Sequence, residues 1–209
     1  NLHASLLPNY RGAAPINWAI INGETKTGVT TFFIDDKIDT GAMILNSEIA
    51  IEPTENAGQL HDRLMNLGST TVIETLKVIE NGNVTTTIQE DNDEIKTAYK
   101  LNKENCKIDW TKSGAEINNL IRGLSPYPAS WCFLKDQDEE LNIKIYEAKF
   151  ISDCHSYEVG KLFSTKKEIK IAIKDGYIQL LSLQFPGKKR MLASELLNGV
   201  SFSEVAKVH

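Results

Sequence analysis

Asn1 and His3 open the chain two positions apart, so an extended backbone would turn both toward one face about 6–7 Å from each other. An amide and an imidazole entering one cleft suit acyl chemistry. The amide N–H can steady a developing oxyanion, while the ring, with an ordinary pKa of about 6.5, can move a proton near neutrality. Without context the same spacing also describes a plain polar strand end. A carboxylate that orients the ring would complete the set, and Asp39 fits that part with Asp35 and Asp36 as rivals on the same loop. All three also read as solvated loop acids. A metal site of His3 with these carboxylates finds no second His or Cys at ligand spacing, so no metal is expected.

The elements that would hold these residues follow from patterning. NLHASLLPNYRGAAP is turn-rich, and INWAIING after it reads as a short helix with Pro15 in its first turn and Gly23 at its end. VTTFFID (29–35) and MILNSEIAI (43–51) read as paired strands, with the acidic DKIDTGA loop between them. Leu60, Leu64, Leu67, Ile73, Leu76 and Ile79 recur at helical spacing over 57–80 and predict a core-facing stripe, with Gly82 just beyond. TTTIQ (85–89) predicts one more strand. The polar run 90–105 reads as a linker, which places one domain at 1–97 and a second at 98–209. In the second, a helix over 113–124 precedes closely spaced short strands with alternating apolar residues, the pattern of a small antiparallel barrel. Trp110 and Trp131 are expected in its core.

Composition narrows the class. Of the 209 residues 41% are apolar and 24% charged, close to soluble globular averages. No run approaches the roughly 18 apolar residues of a membrane helix, so no membrane partner is expected. Cys106, Cys132 and Cys154 are odd in number and widely spaced, which fits a reducing cytoplasm better than a disulfide framework. The chain starts without Met or a leader pattern and is read as a cut piece. Charge is uneven: residues 1–97 carry 6 Lys+Arg against 14 Asp+Glu, net −8, and residues 98–209 carry 17 against 14, net +3. A mildly basic second half favours a polyanionic partner, although a solvated lysine-rich face gives the same count.

Four blocks carry a family resemblance. Asn1-Leu2-His3-Ala4-Ser5-Leu6-Leu7-Pro8 with Tyr10-Arg11-Gly12-Ala13-Ala14-Pro15 resembles the signature of the folate-dependent formyltransferases, and the RGAAP continuation resembles their methionyl-tRNA branch. Ile38-Asp39-Thr40-Gly41 is similar to that superfamily's second signature. Lys107-Ile108-Asp109-Trp110 and the Arg122–Trp131 stretch look like the C-terminal domain that accompanies the branch.

The resemblance implies an α/β fold: the C-terminal part of a Rossmann-like formyltransferase domain followed by an open antiparallel β-barrel, OB-like. It implies Asn1, His3 and Asp39 as catalytic residues. Ser5, Leu6, Leu7 and Pro8, with Asp35, Asp36, Ile38 and Thr40, are implied near a reduced folate, 10-formyltetrahydrofolate, as formyl donor. Methionyl-tRNA is the implied acceptor, with Arg11 and the basic turn Lys188, Lys189 and Arg190 as tRNA contacts; that turn also reads as a solvated one. The family's first hundred or so residues have no counterpart here. The parent protein is expected to be a monomer, and the piece to associate through an exposed sheet edge. Alternatives are a relative acting on another amine, a formyl-folate hydrolase, or an inactive tRNA-binding module.

Overall fold

The computed structural model describes residues 1–82 and 84–209. They divide into two compact units, Asn1–Leu101 and Asn102–His209. In the first, β1 (Leu2–His3) and β2 (Arg11–Gly12) flank a loop. The helix α1 (Pro15–Ile21) follows, started by Pro15 at the one turn where a missing N–H costs nothing. β3 (Lys26–Phe32) and β4 (Met43–Ala50) bracket the acidic loop, α2 runs over Ala57–Glu80, and β5 covers Thr97–Ala98.

β3 lies between β1 and β4 in an antiparallel sheet, and β2 pairs in parallel with β5. Covered on both faces, β3 is buried from Thr27 through Phe32, and Val29 joins Ala19, Ile20, Leu60 and Leu64 in the core. The predicted strand at 85–89 is reduced to one bridge, in which Met43 and Thr87 exchange both backbone hydrogen bonds.

Asn56 starts α2 with a capping box: its side chain accepts from Gln59 N, and the Gln59 side chain accepts from Asn56 N. The helix occupies the predicted span but turns a different stripe inward. Its buried positions are Ala57, Leu60, Leu64, Gly68, Thr71 and Thr75, whereas Ile73 and Leu76 stay more than half exposed, at 55% and 54%. The cause is hydroxyl pairing along the C-terminal half. Thr71 donates to Ser47 at 2.9 Å and Thr75 shares a hydrogen with Thr31 at 2.8 Å, so threonines take the sheet-facing positions.

In the second unit, α3 (Gly114–Gly123) is capped by Ser113 and Glu116, which satisfy each other's backbone N–H. The strands β6 (Ser130–Asp136), β7 (Glu139–Ser152), β8 (Leu162–Ser164), β9 (Ile169–Ile173) and β10 (Gly176–Gln184) follow. The chain ends with β11 (Met191–Leu192), the short helix α4 (Ala193–Leu196) and β12 (Lys207–Val208). The sheet runs β12-β6-β7-β10-β9-β8, with β11 beside β10.

The barrel expected to be open is nearly closed. Lys207 bridges Lys161, Leu162 N donates to Ala206 O at 3.0 Å and Val208 N to Gly160 O at 2.8 Å, so the last strand touches both edges. Ile143, Ile145, Ile169, Ile171, Ile173 and Ile178 fill the interior, and Trp110 lies among them. Trp131 departs from its expected core position. It sits edge-on to Phe133 on the outer face of β6, donates to Lys103 O at 2.8 Å, and lies beneath the ammonium groups of Lys103 and Lys107.

Candidate active site

His3 enters the first unit from β1, registered against Thr30 of β3, and only 7% of it is exposed. Its Nε2 lies 2.7 Å from the carbonyl oxygen of Tyr10. A carbonyl can only accept, so Nε2 carries a hydrogen and, in the neutral ring, Nδ1 is a bare lone pair. Nδ1 faces Asp39 Oδ2 at 3.6 Å, a separation too long for a hydrogen bond. Tyr10 therefore sets the tautomer, a part that sequence reasoning gave to Asp39.

Asp39 is brought to the ring across 36 positions by a loop that Phe33 N closes onto Ala42 O at 3.0 Å. At φ +56° Asp39 occupies the left-handed region, and its Oδ2 accepts from Gly12 N at 3.0 Å. Gly12 can offer that N–H because it has no side chain: at φ +119° a Cβ would stand 2.5 Å from Ala98 O. Gly41 is likewise fixed, since a Cβ there would collide with the Phe33 carbonyl.

The rival acids are placed differently. Asp35 spends its carboxylate on Lys37 N at 3.1 Å and the Thr40 hydroxyl at 2.9 Å, a turn within its own loop. Asp36 and Ile38 are exposed on the same loop. Asn1 is exposed ahead of β1 and fastened by its backbone: its backbone nitrogen donates to Phe32 O at 2.8 Å and its carbonyl accepts from Phe32 N at 3.0 Å. Ser5 and Leu7 point inward. The Ser5 hydroxyl donates to Asn9 O, and Thr30 Oγ1 staples the loop by donating to Ser5 O at 2.7 Å and accepting from Leu7 N at 3.1 Å. Leu6 and Pro8 are half-buried beside them.

Beside the pair, Arg11, Asp35, Asp36, Lys37, Thr40, Gln89 and Asp91 line a cleft of about 310 Å³. Arg11 is committed there, donating from Nε to Gln89 Oε1 at 3.0 Å and from Nη1 to Asp91 at 3.1 Å. Lys188, Lys189 and Arg190 belong to the second unit. The two lysines are exposed, while Arg190 donates to Ser182 Oγ at 2.8 Å and stacks over Tyr146. A cleft of about 480 Å³ in that unit, between Lys107–Thr111 and Val208–His209, holds none of the catalytic candidates. Among the described residues, no three His, Cys, Asp or Glu side chains gather in a metal-holding group, and no helix is long and apolar enough to cross a membrane.

Titrating groups cluster behind Tyr10. Burial, then its hydrogen bond to Glu24 at 2.5 Å, pushes the phenol well above its ordinary value. Burial alone would raise the Glu24 carboxyl, but hydrogen bonds from Lys96 and Tyr10 outweigh it and hold the carboxyl below the usual range. Sequence reasoning named Tyr10 and Gly12 only within a motif, giving them no role, and missed Gln89. The first two contribute backbone groups, which leave no side-chain signature, and Gln89 lies 50 positions from the acid it touches.

Comparison with known proteins adds an independent line. The formyl transferase family model matches residues 1–76, and the model described as formyl transferase, C-terminal domain, matches residues 100–201. A Flavobacterium johnsoniae protein described as methionyl-tRNA formyltransferase is 86% identical over 209 residues, which are 100% of this chain and 66% of that protein. Its counterpart from Bacteroides thetaiotaomicron is 47% identical over 214 residues, again 66% of its length. The chain thus spans just under two thirds of these curated relatives. Among solved structures, HypX from Aquifex aeolicus in complex with tetrahydrofolic acid superposes with a TM-score of 0.67 at 18% identity, covering 97% of this chain and 36% of that one. WlaRD, a sugar 3N-formyl transferase, gives 0.66 at 24%, covering 90% and 65%. Both likenesses concern the fold.

Proposed function

The chain belongs to the formyl transferase family, and from that premise we propose that it forms part of an enzyme that moves a formyl group from 10-formyltetrahydrofolate to the α-amine of methionyl-tRNA. The observation that carries the reading is the apposition of His3 Nδ1 and Asp39, each held by a backbone group, Tyr10 O and Gly12 N.

The donor supplies a formyl carbon that the amine attacks. An α-amine titrates near ~8, so part of it arrives protonated and the attack releases a proton. Nδ1 of His3 is the lone pair placed to take that proton, because Tyr10 O holds Nε2–H. The Asp39 carboxylate then offsets the charge on the ring. As the tetrahedral intermediate collapses, the bond from the formyl carbon to the folate N10 breaks and the ring returns its proton to that nitrogen, releasing tetrahydrofolate. Asn1, on the same strand end, would donate to the oxyanion of the tetrahedral intermediate, an effect worth about 3–4 kcal/mol for a well-placed donor.

On this reading the donor lies along Ser5–Pro8 and the Asp35, Asp36, Ile38 and Thr40 loop. The cleft of about 310 Å³ offers room for one end of a folate. Ser5 and Leu7 would act there through loop shape, since their side chains are buried. The second unit is the proposed tRNA-binding domain, an OB-like barrel with Lys188, Lys189 and Arg190 on its surface, and Arg11 remains a proposed tRNA contact beside the acid loop. A monomeric enzyme in the cytoplasm fits the reading. A sugar-amine acceptor, as named for WlaRD, has fold likeness behind it and no more, while the 86% relative is described for methionyl-tRNA. The test is single-turnover formyl transfer by the full-length protein carrying His3→Ala. A loss of a hundredfold or more is expected, and a loss under tenfold would overturn the assignment.

A further inference from the structure

Gln89 is buried, with 8% exposed, and every arm of its carboxamide is used. Nε2 donates to Asp39 O and to Gly41 O, both at 2.8 Å, and Oε1 accepts from Arg11 Nε at 3.0 Å. Gln89 follows the Met43–Thr87 bridge by two residues and is buried, while Ile88 between them is 82% exposed.

The acid loop needs an anchor of this kind. Apart from the Asp39 carboxylate, which accepts from Gly12 N at 3.0 Å, its side-chain bonds run from Lys37 N and the Thr40 hydroxyl to Asp35, internal to the loop and exposed, and leave the loop backbone untied. Asp39 holds a backbone conformation that costs about 1 kcal/mol or more for a non-glycine residue and persists only where the surroundings impose it. A carboxamide can impose it because it offers two donors to two carbonyls and one acceptor to a guanidinium. Glutamate would set a carboxylate against both carbonyls, and methionine would offer neither hydrogen bond.

We propose that Gln89 is a positioning residue for the transfer reaction: by latching the Asp39 and Gly41 carbonyls it aims the Asp39 carboxylate at Gly12 N and His3. The inference rests on the reading of Asp39 as part of the reacting centre. It concerns a side chain whose carboxamide hydrogen bonds all go to the protein itself.

The experiment is a double-mutant cycle in the full-length protein, with Gln89→Met, Asp39→Asn and the pair compared by single-turnover transfer and steady-state kinetics. Gln89→Met is expected to lower kcat tenfold or more with KM within threefold, and the pair should fall within threefold of Asp39→Asn alone. A loss under tenfold in Gln89→Met overturns the proposal. So does a pair that falls further below Asp39→Asn, because a structural role elsewhere would add. If Asp39→Asn retains wild-type transfer, the reading of Asp39 fails and the positioning role with it; a failure of Gln89 alone leaves the Asp39→Asn loss intact. Should Gln89→Met not fold, Gln89→Glu, which keeps the contact with Arg11, carries the same cycle with the same limits.

Discussion

Tyr10 serves the site with both of its ends. Its carbonyl holds Nε2–H of His3, and its phenol donates to Glu24, which Lys96 also reaches. The backbone shares the work: Tyr10 N donates to Lys96 O at 2.5 Å, and Lys96 N donates to Asn9 Oδ1 at 3.0 Å. Glu24 is therefore the charged centre of the anchor behind the ring, and its carboxyl is held below the usual range despite burial. A carboxyl lowered in the folded state lends stability that is complete above its unfolded value, about 4.3, and is lost as pH falls through the folded value. Glu24→Gln should thus destabilise the protein at pH 7, and the gap to wild type should narrow steadily below about pH 4.5. Urea midpoints at pH 7 and pH 3 measure it. A gap that stays constant between the two would show that Glu24 acts through packing.

At the scale of elements, α2 separates what patterning reveals from what it hides. Its limits were legible because apolar residues recur every three or four positions and Gly82, at φ +70°, follows its end, while the capping box of Asn56 and Gln59 emerged only in the structure. Its inward face was legible as far as Leu67, which packs partly buried against the core beside Leu60 and Leu64. Beyond that point Thr71 and Thr75 win the sheet-facing places through hydroxyl pairs with Ser47 and Thr31, and periodicity does not register hydrogen-bond partners. Leu64→Ala should cost about 2–5 kcal/mol as a core truncation, while Leu76→Lys should change stability by no more than about 0.5 kcal/mol. Thermal or urea unfolding of the two variants reads the difference, and equal costs would contradict the observed facing. The barrel strands were legible from alternation, but its closure was not, because it depends on residues 160–162 meeting residues 206–208 across more than forty positions of chain.

For the whole molecule, the chain's sulfur chemistry follows from where each thiol lies. Burial pushes the Cys132 thiol up to about 12 and raises that of Cys106, while Cys154 is exposed. The thiolate is the reacting form, so native protein treated briefly with iodoacetamide at pH 8 should gain one adduct, at Cys154, and three after denaturation. Intact mass counts them, and a second native adduct would mean that one of the buried thiols opens readily. The candidate site shows the same division between near and far. Asn1, His3 and Asp39 stand in short motifs that a reader of sequence can see, whereas Tyr10 O, Gly12 N and Gln89 act through the fold that gathers them. The latch also sets an order of events as the polypeptide is made. The acid at position 39 leaves the ribosome well before the side chain at position 89 that holds its backbone. Until that later segment emerges and pairs beside Met43, the two hydrogen bonds from position 89 to the carbonyls of Asp39 and Gly41 cannot form.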